Sequence, residues 1–261
     1  MRSRTASVVI AVLTFVVIIA AWKAYVVWAD VSKFLLPPPE SVGAATVELV
    51  SEQATWEHAW VTLKEILWGF ALAVGLGLSI GAILGEFPVL SRAYTPYIVV
   101  FQVLPKVAII PLLLLWFGFG STSKLLVAAM FAFFPIVVAT QAGIRAVDPG
   151  HRDLATTLRA SPRQRLFLVD FPSALPMILT GMEIGIVLAT IGAIVAEYLS
   201  GGEGLGYLAV SNLNQLKVDS LFGVIVLLSL LGLLLHGVMV GLRRWLVSWH
   251  PSATAGSQPF G

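Results

Sequence analysis

The feature that most constrains this chain is a recurrence of apolar runs close to the thickness of a lipid bilayer. Crossing a hydrocarbon core takes about 20 residues of helix, and inside it backbone polar groups must be satisfied without water. Such runs fall at about 7–28, 62–85, 95–117, 123–143, 175–199 and 221–243. They predict an all-α integral membrane protein with six spans. Composition agrees: 58% of residues are apolar and only 11% charged, against roughly 25% charged in globular proteins. The first run follows Arg2 and Arg4 as in a signal sequence. It is long and lacks a small-residue cleavage site before the next polar stretch, so it is expected to remain as a span.

Charge sets the orientation. All ten arginines fall on one side of these spans or at its border: Arg2, Arg4, Arg92, Arg145, Arg152, Arg159, Arg163, Arg165, Arg243 and Arg244. By the positive-inside rule, both termini and the segment after the fourth span are cytoplasmic. Lys33, Lys124 and Lys217 are then expected in external loops. Residues 1–6 form a cytoplasmic N-terminus, 7–251 the membrane domain and 252–261 a disordered polar tail. There is no cysteine, the four histidines lack metal-site spacing, and a net charge of +2 does not suggest nucleic acid.

Several local signals bear on packing. Leu36-Pro-Pro-Pro-Glu40 is a stiff lead into Ser41, an N-cap for a short external helix carrying Val42, Ala45 and Leu49. That helix could dock a soluble partner or lie on the membrane surface. Gly77, Gly81 and Gly85 in the second span, and Gly232, Gly237 and Gly241 in the sixth, mark close helix approach. Pro105 and Pro111 are expected to break the third span.

The cytoplasmic stretch DLATTLRASPRQRLFLVDFPSALP, residues 153–176, stands out as polar and arginine-rich between apolar runs. Asp148-Pro149 and Ser161-Pro162 each read as an N-cap followed by proline at the first helical position. They predict two short helices, about 149–159 and 162–170, joined by a tight bend, with Phe171-Pro172 and Leu175-Pro176 stopping the second. Such an elbow, in a coupling loop at 144–174, either fits a partner's groove or is a solvated loop whose arginines set topology.

At this stretch the chain resembles the permeases of ATP-binding cassette (ABC) importers, specifically the nitrate/sulfonate/taurine group. The likeness is carried by Asp153-Leu154-Ala155-Thr156-Thr157-Leu158-Arg159-Ala160-Ser161 with its following proline pairs. It extends to VLPKVAIIPLLLLWFGFGSTSK, FFPIVVATQAGIRAVDP and GLGY, covering about 35–245. Two positions depart from the family pattern: Arg159 stands where the family has glycine, and Leu154 where it has alanine. The resemblance implies a six-span type I ABC importer permease fold with a cytoplasmic coupling helix in a bacterial inner membrane. In that reading Asp153, Leu154, Ala155, Leu158, Arg159, Ala160 and Ser161 meet the ATPase.

The resemblance further implies two cytoplasmic ABC ATPase subunits, an external solute-binding protein and a second permease copy, surrounded by membrane lipid. No GxxxxGK[ST] loop is present, so ATP and magnesium belong to the partner ATPase and this chain, a transport subunit rather than an enzyme, binds no cofactor. The absence of internal duplication favours a homodimer, with a heterodimer left open. Ionisable groups within spans are functional candidates. Glu183, Thr190 and Glu197 recur on one face of the fifth span, Lys106 beside Pro105 is a counter-charge, and Gln102 and Trp116 are additional candidates for the path. The same charges could instead form an interhelical pair. Two acids on the path would disfavour an anion. Nitrate, sulfonate, taurine, pyrimidine and other aromatic solutes stay open, as do an ion-coupled secondary transporter using the intramembrane Glu and Lys residues and a membrane-embedded enzyme.

Overall fold

The structure, a computed structural model, describes residues 2–247. The expected tail at 252–261 lies outside them. The described residues form helices joined by short connections: α1 (Arg2–Trp28), α2 (Pro39–Ser51), α3 (Gln53–Glu86), α4 (Pro88–Val103), α5 (Lys106–Phe117), α6 (Ser121–Arg145), α7 (Pro149–Thr157), α8 (Pro162–Arg165), a π-turn (Leu166–Asp170), α9 (Phe171–Ser200), α10 (Leu205–Asn214) and α11 (Val218–Leu246). Five helical stretches are long and apolar enough to cross a membrane, and α4 with α5 forms a further pair bent by 89°.

The direction of packing shows that the bent pair must also cross. Gly69, Gly77, Gly81 and Gly85 of α3 meet Ala128, Ile136, Thr140 and Ile144 of α6 in ascending order, so these two helices run parallel. The chain between them has to return across the bilayer. By residue count α4 and α5 are about 24 and 18 Å long. Joined at a right angle they reach about 30 Å, one hydrocarbon thickness. Six crossings result.

Glycines make the α3–α6 seam. A Cβ at Gly81 would stand 2.6 Å from Thr140 Cβ, and one at Gly69 2.7 Å from Ala128 Cβ, so only a hydrogen fits. Without a hydrophobic drive between helices in lipid, such close van der Waals packing holds the bundle. The central cluster combines Ile66, Phe70 and Ala73 of α3, Ala128, Ala132 and Ile136 of α6, and Ile186, Ala189 and Ala193 of α9. In contrast, α1 exposes nearly all of its apolar side chains, as a lipid-facing helix would.

Several expectations are corrected. Helix α2 begins at Pro39, with Pro38 rather than Ser41 at the N-cap position and no side-chain cap, and its buried Leu49 packs with Leu205, Val224 and Leu228. The third span breaks at Leu104-Pro105, where Leu104 takes an extended conformation (φ −55, ψ 134), because proline disfavours helical backbone in the residue before it. Pro111 makes no break; it sits inside α5, and spans tolerate proline where neighbours satisfy the freed carbonyl. The pairs at Pro172 and Pro176 do not stop the elbow helix. Pro172 falls in the first turn of α9 and Pro176 within it, while the π-turn immediately upstream supplies the wider backbone that a proline ring needs. Lys124 is buried in α6 rather than in a loop. Gly237 and Gly241 face open space within this chain.

Candidate functional site

The elbow folds as its local chemistry dictates. Asp148 caps α7 by accepting from Gly150 N–H at 2.7 Å. Ser161 and Gln164 form a reciprocal capping box on α8. Between them Arg159 adopts φ +54, the left-handed conformation that costs a side-chain-bearing residue about 1 kcal/mol or more. The bend is closed by backbone bonds from Arg159 N to Thr156 O and from Ala160 N to Ala155 O, both 2.9 Å. Ala155 is buried beneath it, while Leu154 and Leu158, one helical turn apart, stand 58% and 73% exposed. With Ala160, Gln164 and Leu168 they line a cavity of about 440 Å³. Asp153 and Ser161 are exposed on the same elbow.

The elbow is fastened to the spans by ions that the sequence reading left out. Asp170, fully buried at the end of the π-turn, pairs with Arg152 at 2.8 Å and Arg165 at 3.3 Å. Arg152 also donates to Ile144 O, in the last turn of α6, at 2.7 Å. Arg165 also pairs with Glu86, the last residue of α3.

Glu183, Thr190 and Glu197 do share a face, but it is turned into the helix packing and all three are buried. Glu183 pairs with Arg243 of α11 at 2.9 Å, so its counter-charge is not Lys106. Thr190 donates to Ile186 O of its own helix. Glu197 accepts from Thr62 Oγ1 and from Gly206 N–H, each at 2.6 Å. Around it Leu205 N–H donates to Thr62 Oγ1 at 2.8 Å and Gly204 N–H to His58 Nδ1 at 3.1 Å. Lys124 donates to Glu203 O at 2.8 Å and lies 3.6 Å from Glu65. This cluster seats the turn before α10 against α3, α6 and α9. A rule that flags every ionisable residue within a span would have found Glu65.

Lys106 and Gln102 do come together. They line a cavity of about 450 Å³ with Phe134, Thr180, Gly181 and Ile184, between the broken helix pair and the α6–α9 face. The Lys106 ammonium lies 5.6 Å from the Phe134 ring centre and 5.8 Å from that of Phe131, a cation–π arrangement. Lys106 is the one charged residue among the described residues lining it. Trp116 is elsewhere, 66% exposed near the end of α5.

Residues 73–248 match the family described as binding-protein-dependent transport system inner membrane component. The chain belongs to this family. Among curated relatives, the permease is 36% identical over 216 residues to the formylaminopyrimidine transport permease protein ThiX of Halalkalibacterium halodurans, covering 83% of this chain and 86% of that one. It is 35% identical to the riboflavin transport system permease protein RibX of Chloroflexus aurantiacus, over 92% of this chain and 90% of the relative. To the taurine transport system permease protein TauC of Escherichia coli it is 29% identical, over 93% and 90%. Among solved structures, an inward-facing form of the MetNI methionine ABC transporter superposes with a TM-score of 0.66 at 19% identity, covering 76% of this chain and 99% of the other. The fold is thus that of a type I ABC importer permease, and the chain is a multi-pass membrane transport subunit of the nitrate/sulfonate/taurine type rather than an enzyme. An ion-coupled carrier is not favoured.

Proposed function

We propose that two copies of this permease enclose the path of a small organic anion with an apolar body, moved by two cytoplasmic ATPases docked on the elbows. ATP and magnesium reside in those partners, an external binding protein delivers the solute at the opposite end, and both termini are cytoplasmic. The observation that carries the docking is the elbow itself: a twice-capped, charged turn that holds Leu154 and Leu158 in water beside a groove. Exposed leucines on so ordered a turn fit a partner's cleft better than a solvated linker. Asp153, Arg159 and Ser161, exposed on the same elbow, would meet polar groups of that partner. The cavity supports the solute class, since its lining is apolar apart from Gln102, Thr180 and the Lys106 ammonium.

The relatives are named for solutes of differing charge, zwitterionic taurine on one side and uncharged riboflavin on the other, so a panel separates them. Proteoliposomes holding permease, ATPase and binding protein should import an alkanesulfonate, and Lys106→Met should abolish this uptake while ATPase binding persists. Import of riboflavin or a formylaminopyrimidine alone would refute the anion. Leu158→Asp and Arg159→Glu should separate ATP turnover from transport, Leu158→Asp by releasing the ATPase. Uptake by vesicles containing this chain without any ATPase would refute the docking.

A further inference from the structure

We propose that Asp170 is the joint through which the elbow moves the spans: one buried carboxylate that holds both arms of the bend and, through two arginines, the ends of α6 and α3. This rests on the elbow being the segment that receives the ATPase.

The wiring is specific. Arg152 comes from α7 and Arg165 from α8, on opposite sides of the left-handed bend at Arg159. Each takes a different oxygen of Asp170, Arg152 at Oδ1 and Arg165 at Oδ2. Neither guanidinium ends there. Arg152 spends a second N–H on Ile144 O, among the last-turn carbonyls of α6 that have no partner within their own helix. Arg165 reaches Glu86 at the end of α3. Two cations and two anions thus form a neutral chain, with Asp170 fully buried and the other three side chains 22–30% exposed. Breaking such a chain at Asp170 leaves a desolvated charge without its partner.

Position adds to this. The π-turn Leu166–Asp170 runs without interruption from the elbow into α9, so Asp170 sits where elbow and span share one backbone. Displacement of the elbow is therefore delivered to α9 covalently, and to α3 and α6 through the two arginines. These three helices, with α11, make up the central core. Separation of the elbow from any one of them would let it turn without carrying the bundle.

A network that only shapes the elbow and a network that transmits its motion respond differently to Glu86→Gln. That change should leave the Asp170 pairs and the bend intact and weaken the α3 arm alone, by removing the charge that Arg165 meets. The chain has no cysteine, so Lys217→Cys, exposed at the end opposite the elbow, accepts a single spin label per copy. Distances between labels are measured in nanodiscs on the permease complex with its co-purifying ATPase, with and without ATP and vanadate. Wild type should shift to a second distance. Glu86→Gln should retain the ATPase yet lower the shifted population about threefold, and Glu86→Asp should restore it. Asp170→Asn should lower it about tenfold. Full shifts in Glu86→Gln and Asp170→Asn would overturn the joint while leaving docking in place, as would wild type that retains the ATPase without shifting; wild type that fails to retain an ATPase would overturn docking and joint together.

Discussion

Replacing Thr62 by valine keeps the side-chain shape and deletes one hydroxyl that serves two buried hydrogen bonds. It donates to Glu197 Oε1 at 2.6 Å and accepts from Leu205 N–H at 2.8 Å. Thr62, Glu197 and Leu205 are all essentially fully buried, so water does not replace either bond without opening the structure. An orphaned buried N–H costs about 1–3 kcal/mol and a lost bond to a carboxylate about 1.5–3. Partial relaxation brings the expected loss to about 2–4 kcal/mol, borne locally by the turn 201–207 and the start of α10. Three glycines at positive φ, Gly201, Gly202 and Gly204, give that turn little rigidity of its own. Hydrogen exchange read by mass spectrometry should therefore show protection of the 204–208 amides falling about 30- to 1000-fold, at about 1.4 kcal/mol per decade, with α3 and α6 unchanged. Thr62→Ser should keep most of the protection. Unaltered exchange at 204–208 in the valine variant, or an equal loss across all spans, would refute the assignment of this cluster as the anchor of the turn.

Other perturbations test other layers. Gly81→Val places a branched side chain where even a Cβ would be 2.8 Å from Val137 O; it should destabilise the bundle by about 1–3 kcal/mol or more in a detergent unfolding titration, and an unchanged midpoint would contradict the seam. Arg159→Gly removes a side chain from left-handed backbone and should stabilise the elbow by about 1 kcal/mol, seen as slower proteolysis at 150–165. Glu40 is held below its ordinary 4.5, first by its own backbone N–H at the start of α2 and then by the Lys23 ammonium 3.1 Å away. A lowered value means the tether is complete at neutral pH and is lost as pH falls through it, so a label pair on α1 and α2 should broaden only below the ordinary glutamate range, and Glu40→Gln should abolish that transition.

What could be read from the sequence was whatever depends on near neighbours. Apolar run length located the spans, and glycines four apart located the α3 side of its seam with α6, because both signals are local. The elbow was legible for the same reason: Asp148, Ser161 and Gln164 act within three residues of themselves. Partners of buried charges were not legible. Thr62 and Glu197 are 135 positions apart, and nothing near Glu183 names Arg243. Periodicity placed Glu183, Thr190 and Glu197 on one face correctly, but a period states which residues agree in direction and never which neighbour they meet. Helix α10 is not among the elements expected from the sequence; its first turn is held by Thr62 and Glu197, contacts from other helices that override weak local propensity.

That same neutralisation alters the electrostatics of solute choice. Two unpaired carboxylates along the fifth span would oppose an anion. Glu183, however, spends its charge on Arg243, and Glu197 is enclosed by hydrogen bonds beside Lys124 and Glu65. Neither lines the cavity bounded by Gln102 and Lys106. A charge matters to a solute in proportion to how little compensates it at close range. Lys106 faces aromatic rings, whose attraction fixes its place without cancelling its charge. The field in the cavity is therefore set by one ammonium per copy, and two copies brought together would present a pair of them to a single solute.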